Sequence, residues 1–170
     1  AGMEGAEAQG LPVPSNMDEQ VMAAQALGRH VRNIPACPLM HGTGLFTAMG
    51  SMMGGGTIVT LTENKRFNPQ NLFETVEREG VTNMAIVGDA FGKPMLAYLD
   101  ANPGKHKLDS VVGIISSGVM WSREVKAGLL GHIPQVVLMD SFGASEALGS
   151  GSSAMTKDGE VRTATFQIGP

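Results

Sequence analysis

Short apolar runs alternate along this chain with segments of helical spacing, and that alternation restricts the fold more than any other feature. The runs are Thr57–Leu61, Thr82–Val87, Leu108–Ser116 and Gln135–Met139. They read as continuous rather than alternating apolar stretches, as expected of strands covered on both faces. The clearest helical segment opens on Asn68, a good N-cap, with Pro69 at the first helical position. Leu72, Phe73 and Val76 form its apolar stripe, and Gly80 is a fitting stop. Another begins at Ser122, with Glu124 in its first turn and Val125, Leu129 and Leu130 turned inward. Strand–helix alternation of this kind implies βαβ units with right-handed crossovers. The expected fold is α/β: a doubly wound, mostly parallel sheet of at least four strands with helices on both faces.

Other segments are assigned by their punctuation. Met17, Val21, Ala24, Leu27 and Val31 have helical spacing, and Pro35 and Pro38 exclude helix beyond them. Leu45, Met49, Met52 and Met53 share one helical face, which Gly54-Gly55-Gly56 ends. Residues 88–92 are expected to be a loop, with Pro94 opening a helix that runs to about Ala101. Residues 147–153, rich in Gly and Ser, are expected to form a mobile loop. Lys157-Asp158-Gly159-Glu160 signals a hairpin turn before an alternating strand, Val161–Ile168. The expected organisation is an N-terminal segment of loop and helix (1–33), an α/β subdomain (34–154) and a β-hairpin leading onward (155–170).

Composition removes several classes. The chain has 170 residues, 42% hydrophobic and 16% charged, which describes a globular domain rather than a disordered one. A net charge of −4 offers no basic field, so no nucleic-acid partner is expected. Cys37 is the single cysteine, so there is no disulfide framework, and it reads as a packing residue. No apolar run approaches the roughly 20 residues of a transmembrane helix, and the first residues lack the features of a signal peptide. A cytoplasmic location is expected, with a membrane-peripheral one as the alternative. The twelve methionines are core filler or, for Met40, Met49, Met52 and Met53, an adaptable apolar pocket.

Three loops leave the carboxyl ends of predicted strands: 88–92, 117–121 and 140–146. In a parallel sheet they converge on one edge, where open α/β sheets bind ligands. Within Asp140-Ser141-Phe142-Gly143-Ala144-Ser145-Glu146, Phe142 offers a flat face for a base, and Asp140 can accept from an exocyclic amine. Ser145 can donate to a phosphate oxygen, and Glu146 suits Mg²⁺. An ordinary turn with a solvated Glu146 is the competing reading. Gly149-Ser150-Gly151-Ser152-Ser153-Ala154 matches a dinucleotide fingerprint in letters only, because no strand precedes it and no apolar helix follows. A nicotinamide dehydrogenase is thereby disfavoured. His30, His41, His106 and His132 lack metal spacing; His41 is set apart by its glycine-bearing loop.

Pro-Leu-Met-His-Gly-Thr-Gly-Leu at 38–45 resembles the P-L-x-H-x-x-G-L motif of adenylate-forming enzymes. Ser-Phe-Gly-Ala-Ser-Glu at 141–146 resembles their Y-G-x-T-E motif, with Phe for Tyr and Ser for Thr. Ser117-Gly118-Val119-Met120-Trp121-Ser122 stands where their G-G-A-P-L-S segment does, with Ser117, Val119 and Met120 as departures. Order and spacing agree, and the chain is most similar to the bacterial long-chain fatty-acyl-CoA synthetases over about residues 34–170.

The resemblance implies an ATP-dependent acid–thiol ligase using ATP, CoA and Mg²⁺, which activates a fatty or other hydrophobic carboxylic acid as an acyl-adenylate. It implies Gly118, Val119, Asp140, Ser141 and Phe142 around adenine, Ser145 at phosphate and Glu146 on Mg²⁺. It also implies His41 beside the acyl carboxylate and α-phosphate, and Val87, Gly88, Phe91, Gly143 and Ala144 along the acyl channel. The family's phosphate loop and its C-terminal catalytic lysine have no counterpart here, so the chain is expected to be an internal piece that is inactive alone. A non-catalytic nucleotide- or acyl-binding module, or a relative with a different acceptor, are the alternatives. The residues leave oligomeric state open.

Overall fold

The computed structural model describes residues 15–16, 18–19, 21–22, 30–62, 66–144 and 147–157, with the backbone alone for 142–144 and 147–152. In chain order the elements are β1 (Arg32–Pro35), α1 (Gly42–Met53), β2 (Thr57–Ile58), α2 (Pro69–Glu79), β3 (Asn83–Ile86), α3 (Gly88–Ala101), β4 (Gly113–Ser117), α4 (Arg123–His132), β5 (Val137–Ala144) and β6 (Ala147–Met155). They form one six-stranded sheet in the order β2-β1-β3-β4-β5-β6. All pairs are parallel except β5–β6. The chain is thus a doubly wound α/β layer. From β1 it steps outward through α1 to β2, then returns past β1 and proceeds the other way through α2, α3 and α4. With right-handed crossovers, that reversal puts α1 on one face and the other three helices on the opposite one.

One row of side chains holds the sheet in register. Ile34, Met84, Ile114, Leu138 and Met155 are aligned partners across β1, β3, β4, β5 and β6. All lie between 0% and 4% exposed. They belong to one cluster with Leu72, Phe73 and Val76 of α2, Met95 and Leu99 of α3, and Val125 and Leu129 of α4. The other face is closer and more polar. Asn33 donates from Nδ2 to the Thr47 carbonyl of α1 at 3.3 Å, and only Thr43, Gly44 and Ala48 of α1 are buried.

The local signals of α2 hold in detail. Asn68 accepts from the amides of Gln70 and Asn71, and Gly80 ends the helix at φ 58°, ψ 48°. Elsewhere the elements shift. β1 is absent from the sequence expectation because Arg32-Asn33-Ile34-Pro35 carries one large apolar residue and ends on a proline, which has no N–H to give a ladder. β2 is shorter than Thr57–Leu61 because β1, its sole neighbour among the described residues, is four residues long. β4 begins at Gly113, since Asp109 and Ser110 form a turn closed by Val111 N–H to Leu108 O at 3.0 Å.

Residues 88–92 are the first turns of α3 and not a loop, and Pro94 lies inside the helix on its exposed side. β5 runs on through Ala144, and 147–153 pair with it as β6 instead of forming a mobile loop. Backbone ladder bonds do not depend on side chains, so a Gly/Ser-rich segment can complete an edge. Of the helix expected from Met17, residues 18–19 and 21–22 are helical. The rest of it up to 29, and the strand Val161–Ile168, lie outside the described residues.

Ile114→Ala removes the central side chain of the buried row and should cost about 2–5 kcal/mol in urea unfolding. Val112→Ala, two residues away and 52% exposed, should stay within about 0.5 kcal/mol. Equal effects would place the core elsewhere.

Candidate functional site

β1 and β3 are neighbours whose outgoing connections run in opposite directions, so their carboxyl ends flank the crevice where such sheets take ligands. The segment after β1 carries His41, and the one after β3 begins at Val87 and Gly88. β4 ends on Ser117 and Gly118 beside them. Ser116 aligns with Asp140 and Ser117 with Ser141, so the ends of β4 and β5 lie side by side.

His41 is the N-cap of α1, and its Nδ1 accepts from the Thr43 amide at 3.2 Å. An accepting Nδ1 leaves the ring proton of the neutral imidazole on Nε2. That side of the ring faces Gly118. A Cβ at Gly118 would stand 3.0 Å from His41 Cε1, 3.2 Å from Nε2 and 3.8 Å from Val87 Cγ1. Gly118 also has φ +91°, so it is a glycine for two reasons, space and backbone conformation. His41, Val87 and Gly118 therefore meet at the switch point. The start of α1 is pressed close, since a Cβ at Gly44 would meet the Pro38 carbonyl at 2.7 Å.

The β3–α3 turn and the β4–α4 loop are clipped together. Gly88 donates its amide to Ser116 Oγ at 2.8 Å, and Asp89 donates its amide to the Met120 carbonyl at 3.2 Å. Asp89 Oδ1 accepts from the Ser122 amide at 2.9 Å and from its hydroxyl at 3.0 Å. Ser122 stands at the cap position of α4, but its hydroxyl serves Asp89 and makes no cap bond. Gly88, at φ +50°, lies so close that a Cβ would meet the Val119 and Met120 carbonyls at 2.6 Å. Burial is the largest influence on the Asp89 carboxyl and pushes its pKa up. The two bonds from Ser122, with the Lys93 ammonium 3.2 Å away, together outweigh it and hold the carboxyl below its ordinary value.

Asp140 faces α4, where its Oδ2 is paired with the ammonium of Lys126. The two side chains are 14% and 2% exposed, and the ammonium also lies 5.7 Å from the centre of the buried Trp121 ring. Gly92 of α3 packs against that indole, where a Cβ would stand 2.8 Å from Nε1. Phe91 sits half-buried at the start of α3 with its ring edge on Phe67, centroids 4.7 Å apart. The His41–Val87–Gly118 contact is made without it. Val119 and Met120 are exposed. Cys37 is buried, which raises its thiol pKa, as suits a packing residue. Phe142, Gly143 and Ala144 lie on the β5 backbone, and Ser145 and Glu146 lie outside the described residues.

Three polar residues here were not foreseen: Ser116, Asp89 and Lys126. Only Lys126 left a trace in the sequence, because it falls on the apolar stripe of α4 with Val125, Leu129 and Leu130.

Residues 15–169 match the family model described as AMP-binding enzyme. The chain is 29% identical over 157 residues to the medium-chain acyl-CoA ligase Mig of Mycobacterium avium, covering 92% of this chain and 28% of that protein. It is 29% identical over 150 residues to a medium/long-chain-fatty-acid–CoA/3-oxocholest-4-en-26-oate–CoA ligase of Mycolicibacterium smegmatis, covering 86% of this chain and 26% of that one. It thus spans about a quarter of the length of these curated relatives. A nonribosomal peptide synthetase solved with α-methyl-L-serine–AMP shares the fold, with a TM-score of 0.68 at 15% identity over 82% of this chain and 16% of that one.

Asp89→Asn should destabilise the chain by about 1–2 kcal/mol at neutral pH. A carboxyl whose folded pKa is lowered stabilises fully above its unfolded value, about 3.9. That contribution fades as pH falls through the folded value, so wild type and variant should converge in acid. A difference unchanged from pH 7 to pH 2.5 in denaturant unfolding would contradict the assignment.

Proposed function

The chain belongs to the AMP-binding enzyme family, and on that premise we propose that it forms part of an ATP-dependent acyl-CoA synthetase acting on a large apolar carboxylic acid. The observation that carries this reading is the meeting of His41, Val87 and Gly118 at the switch point, with the β4 and β5 ends aligned beside it. The names of the two mycobacterial relatives support the acid class and the CoA acceptor. The apolar Val87, exposed Met120, and exposed Met40 and Met49 nearby in the chain suit an apolar acid.

A carboxylate is a poor electrophile, because it is anionic and its oxygen does not leave. In the proposed reaction the acid's oxygen attacks the α-phosphate of ATP, the α–β phosphoanhydride breaks, and acyl-adenylate and pyrophosphate result. The CoA thiol then attacks the acyl carbon, loses its proton and releases AMP. Alignment and charge neutralisation dominate such steps. Gly118, Val119, Ser141 and Phe142 would flank the adenine, and Asp140 would accept from its amine. His41, with its proton on Nε2, would donate to the oxygens that crowd together as the acid meets the α-phosphate. Val87 and Gly88 would wall the acid, with Phe91, Gly143 and Ala144 further along. Ser145 would donate to a phosphate oxygen.

Among the described residues no group of three or more His, Cys, Asp or Glu side chains could hold a metal ion. Mg²⁺ is commonly held by one or two carboxylates together with substrate phosphates, so Glu146 with the nucleotide suffices as a donor set. The ion would supply charge neutralisation on the phosphates.

In the longer protein that carries this chain, acid-dependent ATP–pyrophosphate exchange should be measurable. His41→Ala should lower it by about 10²-fold, and Glu146→Ala should reduce it as well. Exchange that survives both changes untouched would refute these roles. The 170-residue chain alone should form no acyl-CoA, and turnover by it would contradict the proposed division of the site.

A further inference from the structure

Lys126 is buried on α4, where its ammonium pairs with Asp140 Oδ2 and lies over Trp121. Nothing in the adenylation chemistry uses it. Burying an ammonium is costly, and a buried ion pair is often no more stable than an apolar pair of similar size. A stability role alone therefore does not account for it. What the pair does achieve is geometric. Asp140 stands in register with Ser116, one residue before Ser117 and two before Gly118, at the parallel end of β5. The pairing fixes the rotamer of Asp140 through Oδ2, at the edge where the ends of β4 and β5 lie side by side.

We propose that Lys126 is a positioning residue for base recognition: it holds Asp140 as an oriented carboxylate that accepts from a 6-amino purine and repels a 6-oxo purine. The proposal rests on the function proposed above. A carboxylate opposite a 6-amino group gains a hydrogen bond, whereas opposite a 6-oxo group two acceptors meet. Discrimination of this kind needs a carboxylate that cannot rotate away. A carboxylate without its ammonium could.

The test is acid-dependent pyrophosphate exchange by the longer protein with ATP and with inosine triphosphate, the 6-oxo analogue. Lys126→Met should raise KM for ATP more than it lowers kcat and should cut the ATP-over-ITP preference by about tenfold. Lys126→Arg should retain most of the preference. If Lys126 acts through Asp140, adding Lys126→Met to Asp140→Asn should change the preference no further. That double variant carries no buried charge, so it serves where a single variant fails to fold: loss of the wild-type preference is then the expected result. An unchanged preference in a folded Lys126→Met or double variant would overturn the proposal. Absence of ATP exchange in the wild type would instead refute the function on which it rests.

Discussion

The buried row Ile34–Met84–Ile114–Leu138–Met155 is the constraint on which the other features depend. It joins five strands through side chains buried on one face of the sheet. A slip of one residue in any strand would turn its buried partner to the opposite face. Because the row fixes register, it also fixes what stands at the carboxyl edge two residues further on. Ile86, Ser116 and Asp140 are aligned there, one step before Val87, Ser117 and Ser141. Core packing thus places the strand ends from which the site is built.

What the loops add is rigidity. Gly88 and Gly118 both have positive φ, and each lies where a Cβ would strike a neighbouring segment. Asp89 fastens the start of α3 to Ser122, and Ser116 fastens the Gly88 amide. The segments assigned to the acid and to the adenine thus share hydrogen bonds and form one wall. For chemistry that depends on alignment more than on proton transfer, a fixed wall is the useful property.

How much of this was legible in the sequence follows from the range of each signal. α2 was legible because Asn68, Pro69 and Gly80 act within a few residues of themselves. The fold class was legible because continuous apolar strands between amphipathic helices leave few alternatives. β1 was not, since one isoleucine among Arg, Asn and Pro makes no run, and its strand character comes from neighbours on both sides. The first turns of α3 were hidden by Pro94, whose usual place is a helix start; packing of Gly88 against Met120 and Gly92 against Trp121 prevails over that preference. β6 was hidden because Gly and Ser are poor strand formers by propensity. Among the residues proposed for the site, His41 and Gly118 stand in motifs, whereas Asp89 and Lys126 are tied to partners 33 and 14 positions away. Only the fold brings such partners together.

The central claim is that an acid and an adenine nucleotide meet in one crevice at the carboxyl edge of β1, β3, β4 and β5. A crystal structure of the longer protein with a non-hydrolysable acyl-sulfamoyl adenosine tests it most directly. The account predicts the purine between the 118–119 backbone and Phe142, its amine at Asp140 and the acyl carbonyl next to His41. An analogue bound away from His41 and Gly118, or one that does not bind at all, would contradict it.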